Sequence, residues 1–343
     1  MTEPGRWILG LADDLTGALE AAAKFAGRGL GARVTTQVAV SGPPEVPVLV
    51  IDTETRHLPA EDARAVVRET TESALRFAPW LVYKKTDSTL RGNIAAEFRA
   101  LLECMPHRSL VYAPSYPEMS RTVKAGRLFV GGLPVHETVY AQDLLNPVRE
   151  SDIRIVLHGV PATVLDGESN ADVLAAARSI TAVDPPLLAA GPAALAAALA
   201  QCVPSLRCGD LRALPQMPRC LVVNGSLHPA SLAQIDFARA HCCFVGGWRY
   251  LDDGPVDARL NRAGQTAERV RGLIETSPID GLIVFGGDTA FGIHRVLGGQ
   301  PFEAWSEVLP GVPLSRCGDL FWVTKAGGFG APDILCELRR ALT

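Results

Sequence analysis

The chain has 343 residues, 48% hydrophobic and 20% charged, with a net charge of −4; it is long enough for two packed domains and too acidic for a general nucleic-acid surface. Eight cysteines occur without a CxxC pair, which excludes a zinc signature and a small disulfide framework and points to reduced structural thiols in a cytosol. No basic segment followed by an apolar run opens the chain, and the most apolar stretch, 187–199, carries Gly191-Pro192 and is too short for a bilayer, so a soluble cytoplasmic protein is expected.

In chain order, short apolar runs alternate with Ala-rich helical patterns. Strands are predicted at 7–11, 33–40, 46–51, 81–83 and 109–113, with helices at 16–28, 60–77 and 95–103. The stretch 126–146, with Gly131-Gly132, Pro134 and then Pro147, breaks this rhythm and reads as an excursion or hairpin. Strands at 153–157 and 186–190 follow, with a helix over 171–180 between them. The Pro-bearing segment 203–218 is the best linker. After it the pattern restarts: strands at 220–223, 243–245, 281–285 and 322–324, helices at 229–240 and 263–276, and a last segment over 332–342. The alternation implies an α/β fold of two domains, 1–205 and 218–343. Each is expected to hold a mostly parallel sheet flanked by helices, with a ligand cleft between the domains.

The densest polar cluster, Lys84-Lys85-Thr86-Asp87-Ser88-Thr89-Leu90-Arg91-Gly92-Asn93, follows an apolar strand. It packs three cations, one carboxylate, three hydroxyls and an amide into ten residues. Such a cluster is costly to order unless something uses it, and its chemistry suits a small hydroxylated anion. Asp13-Asp14-Leu15-Thr16-Gly17 closes the first strand and opens the first helix; its acids serve equally as a helix cap or as ligands for a hydroxyl or Mg²⁺. Thr53-Glu54-Thr55-Arg56-His57 follows another strand and offers Arg56 as a carboxylate clamp, while His57 carries no chemistry. The loop 114–122, stiffened by Pro114 and Pro117, presents Arg121 and Thr122; His136 reads as structural. In the second half, Asn224-Gly225-Ser226, Gly286-Gly287-Asp288-Thr289 and Lys325-Ala326-Gly327-Gly328-Phe329-Gly330 each sit between a strand and a helix, where N–H groups can meet phosphates. None is a Walker A loop or a GxGxxG fingerprint, which disfavours a standard P-loop kinase and a standard dinucleotide dehydrogenase.

With these residues in view, the chain resembles the four-carbon acid sugar kinase family, long a family of unknown function. The resemblance rests on residues 12–18, the Thr-x-Thr-Arg segment at 53–56, and 84–93. It continues through 114–122, 134–138 with Asp143 and Asn146-Pro147-Val148, Gly225-Ser226 with Gln234, 286–289, 310–313 and 325–330. These occur in the family's order over nearly the whole chain. The chain departs from the pattern in being shorter, chiefly between 245 and 281 and around 315–323. It also has His228 and Ala326 where Ser is usual, and Ser120 where Gly is usual.

The resemblance implies an N-terminal acid-sugar domain and a C-terminal ATP domain. Such kinases phosphorylate the terminal 4-hydroxyl of threonate, erythronate or an oxo-tetronate with ATP and Mg²⁺. It places substrate at Asp13, Asp14, Arg56, Lys85, Thr86, Asp87, Ser88 and Arg91, with Asp14 or Asp87 as the catalytic carboxylate. It places ATP at Ser226, Ser231, Gly286, Gly287, Asp288, Thr289, Gly327 and Gly328, with Asp288 near the metal. The expected partners are the acid sugar and ATP, with neither nucleic acid nor membrane, and a homodimer is compatible. Two other readings stay open: a non-catalytic acid-sugar sensor and a hydroxy-acid dehydrogenase.

Overall fold

The computed structural model describes residues 6–203, 206, 211–251 and 262–343, and the chain divides into two compact units, 1–210 and 211–343. Residues 1–5 of the N-terminal segment and residues 204–205 and 207–210 of the expected linker lie outside the described residues. No described helix is long and apolar enough to cross a membrane.

The first unit runs β1 (Ile8–Ala12), α1 (Leu15–Ala26), β2 (Ala32–Thr35), β3 (Val48–Asp52), α2 (Ala60–Leu75), β4 (Leu81–Lys85), α3 (Ile94–Cys104) and β5 (Leu110–Tyr112). It continues with β6 (Arg121–Lys124), β7 (Arg127–Val130), β8 (Leu133–Pro134), α4 (Ile153–Val156), β9 (Ala162–Val164), α5 (Asn170–Thr181), β10 (Leu188–Gly191) and α6 (Ala193–Cys202). β1, β3 and β4 are buried along their whole length, as parallel strands covered by helices on both faces must be. Seven strands pair in the order β2-β3-β1-β4-β10-β5-β9, each neighbouring pair parallel. β3 and β4 flank β1 on opposite sides, with Gly10 in register with both Val50 and Tyr83. The winding therefore reverses at β1. The carboxyl ends of β3, β1 and β4 frame the crevice where open α/β sheets take ligands. Beneath it the core packs Leu9, Leu11, Ile51, Val82, Leu101 and the edge-to-face pair Phe98–Tyr112, 5.1 Å between ring centres.

Strands β6, β7 and β8 form a separate antiparallel sheet, which realises the expected excursion but begins earlier, at Arg121. Two strand assignments are corrected. Residues 153–157 are apolar but for Arg154, yet the Asp152 side chain accepts from the Arg154 N–H (3.0 Å) and starts the short helix α4 instead. Residues 33–40 are strand only to Thr35.

The second unit runs β11 (Cys220–Asn224), α7 (Pro229–Ala240), β12 (Arg249–Leu251), α8 (Arg262–Thr276), β13 (Gly281–Phe285), α9 (Gly287–Val296), β14 (Phe302–Leu309), β15 (Val312–Cys317), β16 (Leu320–Lys325) and α10 (Ile334–Leu342). Strands β12-β11-β13-β16 are parallel, and β15 and β14 continue antiparallel from β16. Helix α10 buries Ile334, Leu335, Leu338 and Leu342 on one stripe against Val222, Ile283 and Val323. The strand expected at 243–245 is absent; β12 takes that place beside β11. Cys243 instead forms a disulfide with Cys336, 93 residues away, which corrects the expectation of wholly reduced thiols. Cys104, Cys202, Cys220, Cys242 and Cys317 are free, and Cys208 lies outside the described residues.

Candidate functional site

In the first unit the sequence-predicted residues converge on the three strand ends. Helix α1 starts where β1 stops because Asp14 caps it, its carboxylate accepting from the Gly17 N–H (3.1 Å) and the Thr16 hydroxyl (2.5 Å). Asp14 is thus a helix cap as well as a candidate site residue. Asp13 points the other way and takes the Arg56 fork side-on, Nε at 2.7 Å and Nη2 at 3.0 Å; the same Nη2 reaches Asp14 at 2.7 Å. The loop carrying Arg56 is pinned because its backbone N–H donates to the Asp13 carbonyl (3.1 Å).

Lys84 and Lys85 do not follow β4; they end it, and both are buried. Lys84 meets Glu97 from the first turn of α3 at 3.0 Å, and Glu97 also accepts from the Thr55 hydroxyl. Lys85 turns toward the start of α1. Its Nζ donates to the Thr86 carbonyl (3.1 Å), and a Cβ on Gly17 would stand 2.9 Å from it, so only glycine lets helix and ammonium approach this closely. Beyond β4, Asp87 is held mainly through Oδ2. It accepts from the Thr89 N–H (2.9 Å) and hydroxyl and from Arg91 Nε (3.1 Å) and Nη2 (2.8 Å), with Arg56 at 3.8 Å. Arg91 spends its remaining terminal nitrogen on Asp143 (3.1 Å), while Thr86 and Ser88 are buried along the same loop.

The electrostatics follow from this pairing. Burial alone would raise the Asp87 and Asp13 carboxyls. For Asp87 the charges of Arg91 and Arg56 outweigh burial and hold it well below the usual carboxylate range; for Asp13, Arg56 and Lys84 do the same more weakly. Asp52, at the end of β3, goes the other way. Burial, with the charges of Glu54 and Asp14 added, pushes it well above the usual range. Arg56 and Arg91 are committed to carboxylates. Lys85 has three donors and one described acceptor, which leaves it the cation with capacity for an incoming anion.

In the second unit the three glycine-containing loops also meet. Asn224 orders the first by accepting from the Ser226 N–H (3.1 Å), and the Ser226 hydroxyl accepts from the His228 N–H (3.2 Å). A Cβ on Gly225 would overlap the Thr289 hydroxyl, and one on Gly286 would lie 3.3 Å from the Ser226 nitrogen. Gly286, at φ 105°, turns β13 into α9, whose first turn holds Gly287, Asp288 and Thr289. The third loop closes on the first through Ser231, which donates to the Gly327 carbonyl (2.8 Å); Gly328 follows, half-buried. Asp288 is exposed, and among the described residues no three metal-binding side chains cluster. A hydrated Mg²⁺ carried by phosphates needs only one or two carboxylates, so Asp288 with its hydroxyl neighbour Thr289 fits that ion, not a protein cage.

Sequence reasoning missed four contributors. Glu97 lies unremarked inside the helix predicted at 95–103 and Asp52 just past the strand predicted at 46–51; Lys84 and Lys325 read as loop cations, whereas both are buried strand ends. Arg121 is not presented: it is buried and donates to the Tyr140 hydroxyl (2.9 Å). His57 is exposed and hydrogen-bonds Asn146 (2.6 Å).

Known proteins share this organisation. A sugar-binding N-terminal domain matches residues 8–160, and a nucleotide-binding C-terminal domain matches residues 260–335. A D-threonate kinase of Bordetella bronchiseptica is 30% identical over 98% of this chain and 98% of its own. The chain belongs to the four-carbon acid sugar kinase family. A D-threonate kinase of Salmonella typhimurium is 28% identical over 95% of this chain and 96% of its own. A Haemophilus influenzae protein of known structure shares the fold, with a TM-score of 0.73 at 18% identity, covering 98% of this chain and all of the other. The Bordetella alignment spans 407 positions against 343 residues here, so this acid sugar kinase lacks segments that its relative carries. As a member of the family it is a phosphotransferase that uses ATP, and the sensor and dehydrogenase readings are set aside.

Proposed function

We propose that this kinase phosphorylates the terminal 4-hydroxyl of D-threonate, held in the first unit, with ATP held by the glycine loops of the second. The reading is carried by Lys85, a buried ammonium with spare donors at the sheet's switch point, where a small carboxylate can be bound without competing for a committed guanidinium. The relatives matched over nearly their full length as D-threonate kinases support the choice of acid sugar.

In this reading Lys85 neutralises the substrate carboxylate, while Ser88 and Thr86 offer hydroxyls to the substrate's own. Asp13 and Asp87 act at one remove, by fixing Arg56 and Arg91. Asp14 is the carboxylate for the reacting hydroxyl: among the described residues it accepts three hydrogen bonds, from Thr16, Gly17 and Arg56, against five on Asp87. The hydroxyl oxygen forms a bond to the γ-phosphorus, the bond from that phosphorus to the β,γ-bridging oxygen breaks, and the hydroxyl proton goes to Asp14. The products are ADP and the 4-phosphorylated acid. This chemistry asks mainly for positioning and charge neutralisation, which paired, buried side chains supply. Ser226, Gly286, Gly287, Thr289, Gly327 and Gly328 would border the phosphates, and Asp288 would hold Mg²⁺, which supplies charge neutralisation on the phosphate oxygens. Dependence on ATP supports a cytoplasmic setting.

Coupled ADP-release assays with D-threonate, D-erythronate and 3-oxo-tetronate test the proposal. The expected result is the highest kcat/KM with D-threonate. A clear preference for another of the three would correct the substrate, and no ADP release with any would sink the assignment.

A further inference from the structure

Lys325 ends β16 fully buried, and the partners of its ammonium are not carboxylates. It donates to the carbonyl oxygens of Ala326 (2.9 Å), Gly327 (3.1 Å) and Phe329 (3.0 Å) and lies 3.3 Å from the Ser231 hydroxyl. The Phe285 ring at the end of β13 covers it, with its centre 4.5 Å from Nζ. Burial without a counter-ion pushes its pKa down to about 7.

Helix α7 grips the same loop from the other side. Ser231 donates to the Gly327 carbonyl (2.8 Å), and the Gln234 amide donates to the carbonyls of Phe329 (2.9 Å) and Gly330 (2.8 Å). Four carbonyls of the 326–330 loop are thereby drawn toward β16 and α7. Among the described residues, the Gly327 and Gly328 N–H groups donate to none, and both residues are half-buried. Successive backbone N–H groups make an anion site only when their loop is fixed, and glycines are the residues that lose most freedom on fixing.

We infer that Lys325 is a positioning residue for the nucleotide: it shapes the 326–330 loop through its carbonyls so that the Gly327 and Gly328 N–H groups face a phosphate, and does not bond the phosphate itself. This rests on the assignment of ATP to the second unit. The ammonium's three protons are already matched by three carbonyls and a hydroxyl, so direct phosphate contact would require it to abandon the loop. Sequence reading treats this lysine as one more loop cation; its burial, and its grip on neutral carbonyl and hydroxyl oxygens, distinguish it.

A double-mutant cycle on the full chain, with dissociation constants for ATP and ADP, tests the inference. Lys325→Met should weaken both at least tenfold and raise the KM for ATP, with kcat at saturating ATP and the KM for acid sugar within threefold of wild type. Gln234→Met, at a position 1% exposed, should weaken nucleotide three- to tenfold. The double variant should lose less than the product of the two factors, because one loop is released once. Amide exchange of 326–330 in the ligand-free protein should quicken in both single variants. A Lys325→Met protein that binds nucleotide like wild type overturns the inference, and so do factors that multiply, the mark of a lysine bonding phosphate directly. If Lys325→Met does not fold, Gln234→Met decides alone: unchanged affinity and exchange reject the clamp. A folded wild type that binds neither ATP nor ADP overturns the nucleotide assignment itself, and the inference with it.

Discussion

The two halves place different chemistry at their candidate sites. The first unit gathers side-chain charge, carboxylates 13, 14 and 87 interlocked with Arg56 and Arg91, and Lys85 beside them, at the ends of three parallel strands. The second gathers backbone, as small residues let three loops touch and its buried lysine binds carbonyls. A small acid with a fixed pattern of hydroxyls needs directional side chains around it. A polyphosphate needs N–H groups and little else. The contrast predicts that damage in one half raises one substrate's KM and leaves the other's alone.

The largest separation is expected from Lys85→Met, which removes charge-assisted hydrogen bonds to the acid. It should lower kcat/KM for acid sugar about 10³-fold (~4 kcal/mol), with the KM for ATP within threefold. A rise in the ATP KM instead would break the comparison. Asp14→Asn should lower kcat about 10²-fold in steady-state assays at saturating substrates, the range of lost proton acceptance; wild-type turnover would remove Asp14 from the chemistry. Gly225→Ala forces Thr289 aside and should cost about 1–3 kcal/mol by urea titration while raising the KM for ATP alone.

A smaller, pH-dependent effect belongs to Lys325. Its folded pKa of about 7 lies below the ordinary lysine value of 10.5, so between those pH values the unfolded chain holds the extra proton and stability rises with pH. Below pH 7 both states are protonated and this contribution is flat. Urea titrations at pH 6, 8 and 9.5 should show wild type gaining up to about 1.4 kcal/mol per pH unit above 7 relative to Lys325→Met; parallel profiles would mean a solvated lysine. Least of all, Asp143→Ala, which frees one arm of Arg91 at a quarter-exposed ion pair, should raise the acid-sugar KM a few-fold (~1 kcal/mol).

Strand–helix alternation and polar strings after strands were legible in the sequence, because parallel strands must be apolar throughout and their ends must be polar to do anything. Partnerships across the fold were not. Lysine at 84 ends a strand reading only if Glu97 is unseen; once it is paired, β4 runs two residues further. The short apolar run of 153–157 fits a strand until Asp152 caps it into a helical turn. The antiparallel pair β14–β15 mixes exposed and buried positions and carries no strong run, so it went unread. The Cys243–Cys336 bridge spans 93 residues, a distance at which spacing says nothing. The upward push on Asp52 comes first from burial, which its own segment does not show, and then from Glu54 two residues on and Asp14 across the fold.

The hold of Arg91 on both Asp87 and Asp143 bears on how this scaffold can be redesigned. The excursion that carries Asp143 exposes Leu133, Val139, Leu144 and Leu145, with Leu144 at 84%, while Tyr140 stays buried. Randomised libraries confined to those four leucine and valine positions, with Tyr140 and Asp143 kept, would vary the periphery of the acid-sugar half at little risk to the sheet beneath. Selection for growth on unfamiliar hydroxy acids would then sample new specificities without rebuilding the ionic lattice.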